Sequence, residues 1–220
     1  DNAIGMLDYY NREQYGDWPT IYGQNYTAYL DAKGIEKNED GSFKTQKTGE
    51  IYEKDEKTGT YRKTGDRFNY VFNKAHVGFM PRMFNEDKDV MANYISMYGA
   101  PDFTFNYGNE DIADSPEAKQ IFDDLRKKYG DKTITASDYL KVRQYDLLNV
   151  QRPSLGQNLD YFITFQNGYY FVRYLMWNFV GRQNDLEGNM ESTRGNWISG
   201  IPFIDDSIVG NQDKIDRKSV

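Results

Sequence analysis

From Gln157 to Gly181 the chain carries two charges in 25 residues, Asp160 and Arg173. No other part is so apolar for so long. Its end, "FVRYLMWNFVGRQND" (171–185), passes abruptly into polar residues. A helix crossing a bilayer needs about 20 predominantly apolar residues. The longest uncharged run here, Tyr161 to Val172, already contains Gln166 and Asn167, and Arg173 follows in mid-helix. A lipid-facing charge at that depth costs several kcal/mol, so spanning is excluded. The segment reads instead as one helix of about seven turns with Gly181 at its C′ position.

Spacing by i, i+3 and i+4 puts Gln166, Tyr169 or Tyr170, Arg173 and Trp177 on one face. Phe162, Phe165, Val172, Met176 and Phe179 lie on another, and Phe171, Leu175 and Asn178 fill a third. A helix apolar on most sides is normally enclosed, which makes 157–181 the central helix of the domain. Arg173 is then either paired with a carboxylate or stacked on Trp177 and aimed at a pocket. After the helix, Arg182, Gln183, Asn184 and Asp185 crowd together, and "GNWISG" supplies Asn196 and Trp197 between glycines. Polar groups around aromatics suit a recognition site, and equally a heavily hydrogen-bonded turn.

The rest of the chain is mixed. A short helix is expected over 4–15, and a strand interrupted at Gly23 in "WPTIYGQNYTAYL" (18–30). Residues 31–66 hold nine acidic and eight basic side chains and form an exposed charged excursion, with a hairpin turning through Lys57, Thr58 and Gly59. Phe68, Tyr70 and Phe72 alternate along a strand, and "VGFMPRMF" (77–84) is a second strand-like run. One helix starts at an Asn85 cap with Val90, Tyr94 and Met97 inward, and ends at Gly99 and Pro101. The next has Ser115 as N-cap, Pro116 at its first position, Ile121, Phe122 and Leu125 inward, and Lys127 and Lys128 in its last turn. A third covers 135–150 through Tyr139, Leu140, Val142 and Leu147. Residues 182–211 read as a polar loop anchored by Trp197, Ile198, Ile201, Phe203 and Ile204. The sum is an α+β, helix-rich single domain over 1–220, with a small antiparallel sheet and the charged hairpin.

Composition then removes whole classes of chemistry. The chain has no cysteine and one histidine, His76, so thiolate chemistry and multi-histidine metal sites are out. His76, between Ala75 and Val77, reads as a structural residue rather than a base. Net charge is −7 with no basic stripe, which argues against nucleic acid. The 19 tyrosines, 13 phenylalanines and 3 tryptophans suit a core, a sugar-binding face or a membrane interface. Asp1 opens the chain without a methionine or a secretory leader, as a piece of a longer protein would.

"YFVRYLMWNFVGRQND" (170–185), "GNWISGIPFID" (195–205) and "GNQ" (210–212) resemble a family of large polytopic membrane proteins of Gram-negative bacteria. That family, long catalogued as a domain of unknown function, is related to the protein O-mannosyltransferases, which include a vertebrate branch of the secretory pathway. "LDYYNREQYGDWPTIYGQNYTA" (7–28), "GFMPRMF" with "YISMYG", and "RPSLGQNLDYF" (152–162) resemble it in the same order. The excursion at 31–66 and the helix at 116–129 do not. The resemblance implies a glycosyltransferase-like protein that takes sugar from a lipid-phosphate donor. Its acidic catalytic motif lies in a membrane part this chain does not contain, so no catalytic residue is carried over. It implies an extracytoplasmic, periplasmic location, with the rest of the same membrane protein as partner and an acceptor protein or glycan lipid nearby.

On that footing the chain is expected to be a non-catalytic domain that positions acceptor or lipid-linked donor, or braces the membrane bundle. No cofactor or metal is assigned to it. The expected functional surface is Arg173, Trp177, Arg182, Asn184, Asp185, Asn196 and Trp197, with arginines for phosphate, tryptophans for a sugar ring, and Asn184 and Asp185 for hydroxyls. The alternative is a carbohydrate- or protein-binding module without transferase activity. A hydrolase built on Asp205–Asp206 or Glu187 and Glu191 needs two carboxyl groups facing across a substrate, which adjacent residues rarely supply. Asp206-Ser207-Ile208 resembles an O-glycosylation acceptor, but three residues are a weak match and a plain turn is the better reading.

Overall fold

The computed structural model describes residues 19–55, 57–106, 108, 115–186 and 191–210. The helix expected over 4–15 lies outside them. The architecture is α+β. In chain order it runs β1 (Tyr22–Gln24), α1 (Thr27–Leu30), β2 (Thr45–Lys54), β3 (Tyr61–Tyr70), β4 (Val77–Phe79), α2 (Lys88–Tyr98) and β5 (Phe103–Phe105). Then come α3 (Pro116–Gly130), α4 (Ala136–Arg143), β6 (Leu148–Val150) and the long helix α5, made of Leu155–Asp160, Tyr161–Val172 and Arg173–Phe179. β7 (Gly181–Arg182), β8 (Trp197–Ile198) and α6 (Pro202–Val209) complete the described chain. Strands pair antiparallel as β1–β4, β2–β3, β5–β6 and β7–β8. The chain divides into two compact units, the first ending at Asn158 and the second starting at Leu159.

The first unit gathers its core around α4, which packs on α1, α2 and α3. Tyr139 of α4 is fully buried and its hydroxyl donates to the Pro101 carbonyl at 2.7 Å. Leu30, Met91, Phe122, Leu125 and Val142 fill the space around it. The helix starts follow their local chemistry. Ser115 caps α3 by accepting from the Ala118 N–H, with Pro116 at the first position. Thr135 and Asp138 close the start of α4 reciprocally, and Lys128 of α3 adds an ion pair to Asp138 at 2.8 Å.

Several expectations shift. Gly23 does not interrupt its strand; it sits at the middle of β1 opposite Gly78, where a Cβ would lie 2.3 Å from that of Pro19, and TAYL is helical. The cap of α2 is Asp87, which accepts from the N–H groups of Asp89 and Val90, while Asn85 accepts from Asp87 itself. The helix expected over 135–150 stops at Arg143. Asp146 takes a positive φ, and Leu148–Val150 leaves as β6 to pair with β5. The two hairpin-region strands form one long ribbon: Phe68 and Tyr70 belong to β3 itself. The loop expected over 182–211 contains β8 and α6; Pro202 at the first helical position and Asp205 in the first turn are the signals for α6.

The second unit is built on α5. From Tyr161 to Val172 the helix is π-wound, far beyond the single-turn bulges that are usual. Val180 is its C-cap, so Gly181 is at C′ as expected, but it enters β7 rather than a left-handed turn. A Cβ on Gly181 would lie 3.2 Å from the Ile198 carbonyl oxygen, so the glycine serves the close β7–β8 approach. Among the described residues no helix is long and apolar enough to cross a membrane.

Candidate functional site

One face of α5 carries a continuous stack. The rings of Tyr161, Phe165 and Tyr169 lie nearly parallel, with centroids 5.0 and 5.6 Å apart. The Arg173 guanidinium covers Tyr169 at 4.1 Å and lies 4.9 Å from Trp177, and the Arg182 guanidinium lies 3.9 Å from Trp177. Steps of four residues bring these side chains one above another. Phe165, expected on a different face, therefore belongs to the stack. Arg173 is buried, at 7 % exposure, and its Nη1 donates to the Tyr169 hydroxyl at 2.6 Å. The stacking of Arg173 on Trp177 that the helical spacing suggested is present.

The polar end is clasped onto the stack. Arg182 and Trp197 are cross-strand partners in β7–β8, and the Trp177 indole N–H donates to the Asn196 carbonyl at 3.4 Å. Asn196 is buried; its amide donates to the Glu191 carbonyl at 2.7 Å and to Gln183 Oε1 at 3.1 Å. Asn184 accepts from the Gly195 N–H at 2.9 Å and donates to the Thr193 carbonyl at 2.9 Å. Arg182 pairs with Asp185 at 2.8 Å, and the Asp185 side chain is 91 % exposed. The structure thus brings all seven expected residues into one network. It also divides them. Asn184 and Asn196 hold the turn together and Arg173 is buried in the stack on α5, while Arg182 and Asp185 present charge to the surface.

A second feature, in the first unit, was missed by sequence reasoning. An open cleft of about 470 Å³ is lined by Tyr29, Phe68, Tyr70 and Phe72 together with Gln24, Asn69 and Glu86. Phe68 and Tyr70 share a face of β3, and they are 56 % and 46 % exposed. Burial raises the Tyr29 hydroxyl to about 12, the Glu86 carboxylate adds to the rise, and hydrogen bonding with Gln24 opposes it. The alternation of Phe68, Tyr70 and Phe72 was the available signal, but on its own it describes a core-facing strand equally well.

Residues 16–163 match a family of unknown function, DUF8416. The chain belongs to that family. No curated protein and no solved structure matches it. The part of this DUF8416 member that the family covers holds the whole cleft and the start of α5.

Three titratable groups of the DUF8416 chain, His76, Asp31 and Asp205, are structurally engaged. His76 is buried, with Nδ1 3.1 Å from Thr27 Oγ1 and Nε2 3.3 Å from Asp31 Oδ2. Asp31 also accepts from the Lys33 N–H and the Val150 N–H, each at 2.7 Å. Thr27, Asp31 and His76 resemble a catalytic triad in type, yet all three are closed off from solvent and tie α1, β4 and β6 together. Asp205 spends both oxygens on the turn before α6, accepting from Ser199 and from the Gly200 N–H. Burial opposes its ionisation, but these bonds prevail and hold its carboxyl below the usual range. Both its oxygens are thus occupied by the turn rather than open to a substrate. Ser207 lies within α6, not in a turn, and its hydroxyl donates to the Ile204 carbonyl. Among the described residues no group of His, Asp and Glu side chains could hold a metal ion.

Proposed function

We propose that this chain is a non-catalytic extracytoplasmic domain of a polytopic, glycosyltransferase-like membrane protein related to the protein O-mannosyltransferases, and that it braces the membrane bundle of that same protein. The observation that carries the reading is the outer face of α5. Outside the stack, Ile163, Phe171, Tyr174, Leu175 and Phe179 of α5 are exposed, Phe179 to 76 %. Five large apolar side chains exposed on one helix favour an interaction site, because burying each contributes about 1.5–3 kcal/mol. Arg182 and Asp185, just beyond the end of α5, are the charged groups at the surface that would meet an acceptor or the phosphate of a lipid-linked donor.

The test is photocrosslinking in the full-length membrane protein, with a benzophenone amino acid at Phe171 and Phe179 and a control at Lys57 in the hairpin turn. Intramolecular crosslinks from the helix positions to transmembrane segments, absent from the control, are expected. Crosslinks only to lipid or to other proteins, or a full-length product with no transmembrane segments, would overturn the proposal.

A further inference from the structure

The cleft of the first unit has a lining that neither core packing nor the proposal above accounts for. Two of its rings, Phe68 and Tyr70, stand side by side on β3 with about half of their surface open. Tyr29 and Phe72 meet edge to face behind them, with centroids 5.6 Å apart. The polar residues of the lining are Gln24, Thr45, Asn69 and Glu86, and the rings of Tyr29 and Tyr70 add phenolic hydroxyls. Its volume falls in the range that holds a small-molecule ligand.

We infer that this cleft binds a neutral sugar. A pyranose ring has faces of C–H groups and a rim of hydroxyls. The faces match exposed aromatic rings, whose negative faces attract polarised C–H groups. The rim matches amides, which donate and accept at once, and a carboxylate, which accepts from two hydroxyls. An anionic ligand does not fit, because no lysine or arginine lines the cleft. Lys47 faces Phe68 across the hairpin, but its ammonium is held between Glu50 and Asp66, each at 2.8 Å. A quaternary ammonium ion would use the rings and Glu86, yet it has no hydrogen bond to offer the Thr45 hydroxyl and the phenolic hydroxyls of the lining. The inference does not rest on the membrane reading, since the cleft lies wholly within the first unit.

The experiment is saturation-transfer NMR and calorimetric titration of the 220-residue chain against methyl glycosides of glucose, galactose, mannose and N-acetylglucosamine, with tetramethylammonium and inorganic phosphate as further probes. Binding of at least one glycoside with Kd on the order of 1 mM is expected, as befits a shallow open site. Phe68→Ala should weaken it at least tenfold and Phe68→Trp should retain it, with unchanged circular dichroism in both, because the ring is exposed. Glu86→Gln should weaken it less, since the amide still accepts. Silence across the glycosides, binding indifferent to Phe68→Ala, or tetramethylammonium or phosphate binding at the cleft in place of sugar would overturn the inference. Loss of sugar binding would leave the crosslinking outcome of the bracing proposal untouched, so the two fail separately.

Discussion

The Arg182 guanidinium lies 3.9 Å from the centre of the Trp177 ring, and Arg173 lies 4.9 Å from the same ring. One indole thus meets two cations, and the last turn of α5 is joined to β7. A double-mutant cycle of Trp177→Leu with Arg182→Ala should return a coupling of about 0.5–1 kcal/mol, the range for a half-exposed cation–π pair. Urea unfolding followed by circular dichroism measures it. Zero coupling would mean that the stack is fortuitous.

The clasp around Asn196 should separate the structural members of the network from its surface members. Asn196→Ala removes part-buried hydrogen bonds to the Glu191 carbonyl and to Gln183 Oε1, each worth about 0.5–1.5 kcal/mol. Asp185→Ala removes an exposed ion pair and should change stability by less than about 0.5 kcal/mol. Hydrogen exchange at the Gln183 N–H, which donates to the Asn196 carbonyl at 2.9 Å, reports on the clasp directly. Faster exchange in the first variant and none in the second is expected.

These two cases show what the sequence carried. The start of α3 was legible because Ser115, Pro116 and the two lysines are local signals that need no distant partner. The stack was half legible, since steps of four residues put Tyr169, Arg173 and Trp177 together, but enclosure was overestimated because apolar residues do not state whether a partner covers them. β6 was misread as helix because Leu147, Leu148 and Val150 suit an apolar stripe of either kind until Asp146 turns the chain and β5 supplies a partner. The cleft was invisible for the same reason. Phe68 and Tyr70 acquire their meaning from Tyr29 and Glu86, which are remote in sequence.

Two glycines should respond oppositely to the same change. A Cβ on Gly34 would lie 2.0 Å from the Ala28 carbonyl oxygen, a backbone atom that cannot step aside. Gly34→Ala should therefore cost about 1–3 kcal/mol or more. Gly130 ends α3 with nothing within 4 Å of its would-be Cβ, so Gly130→Ala should stabilise by up to about 1 kcal/mol. Thermal unfolding of the two variants beside the parent decides it, and a destabilising Gly130→Ala would contradict the open space seen there.

Acid should loosen the first unit through Asp31. Burial pushes its carboxyl up, but hydrogen bonds from His76 and from the Lys33 and Val150 N–H groups outweigh that and hold it below the usual range. A carboxyl with a depressed folded-state pKa binds its proton more readily when unfolded. Its stabilisation is complete above the unfolded value of about 4 and is lost as pH falls through the lower folded value. Asp31→Asn should therefore be less stable than the parent at pH 7, by about 1–3 kcal/mol because an amide cannot accept all these bonds. The gap should narrow as pH drops below about 4 and the parent carboxyl itself takes up a proton. Urea midpoints of both proteins between pH 7 and pH 2 give the comparison. Curves that stay parallel over that range would show that Asp31 is not the group that responds.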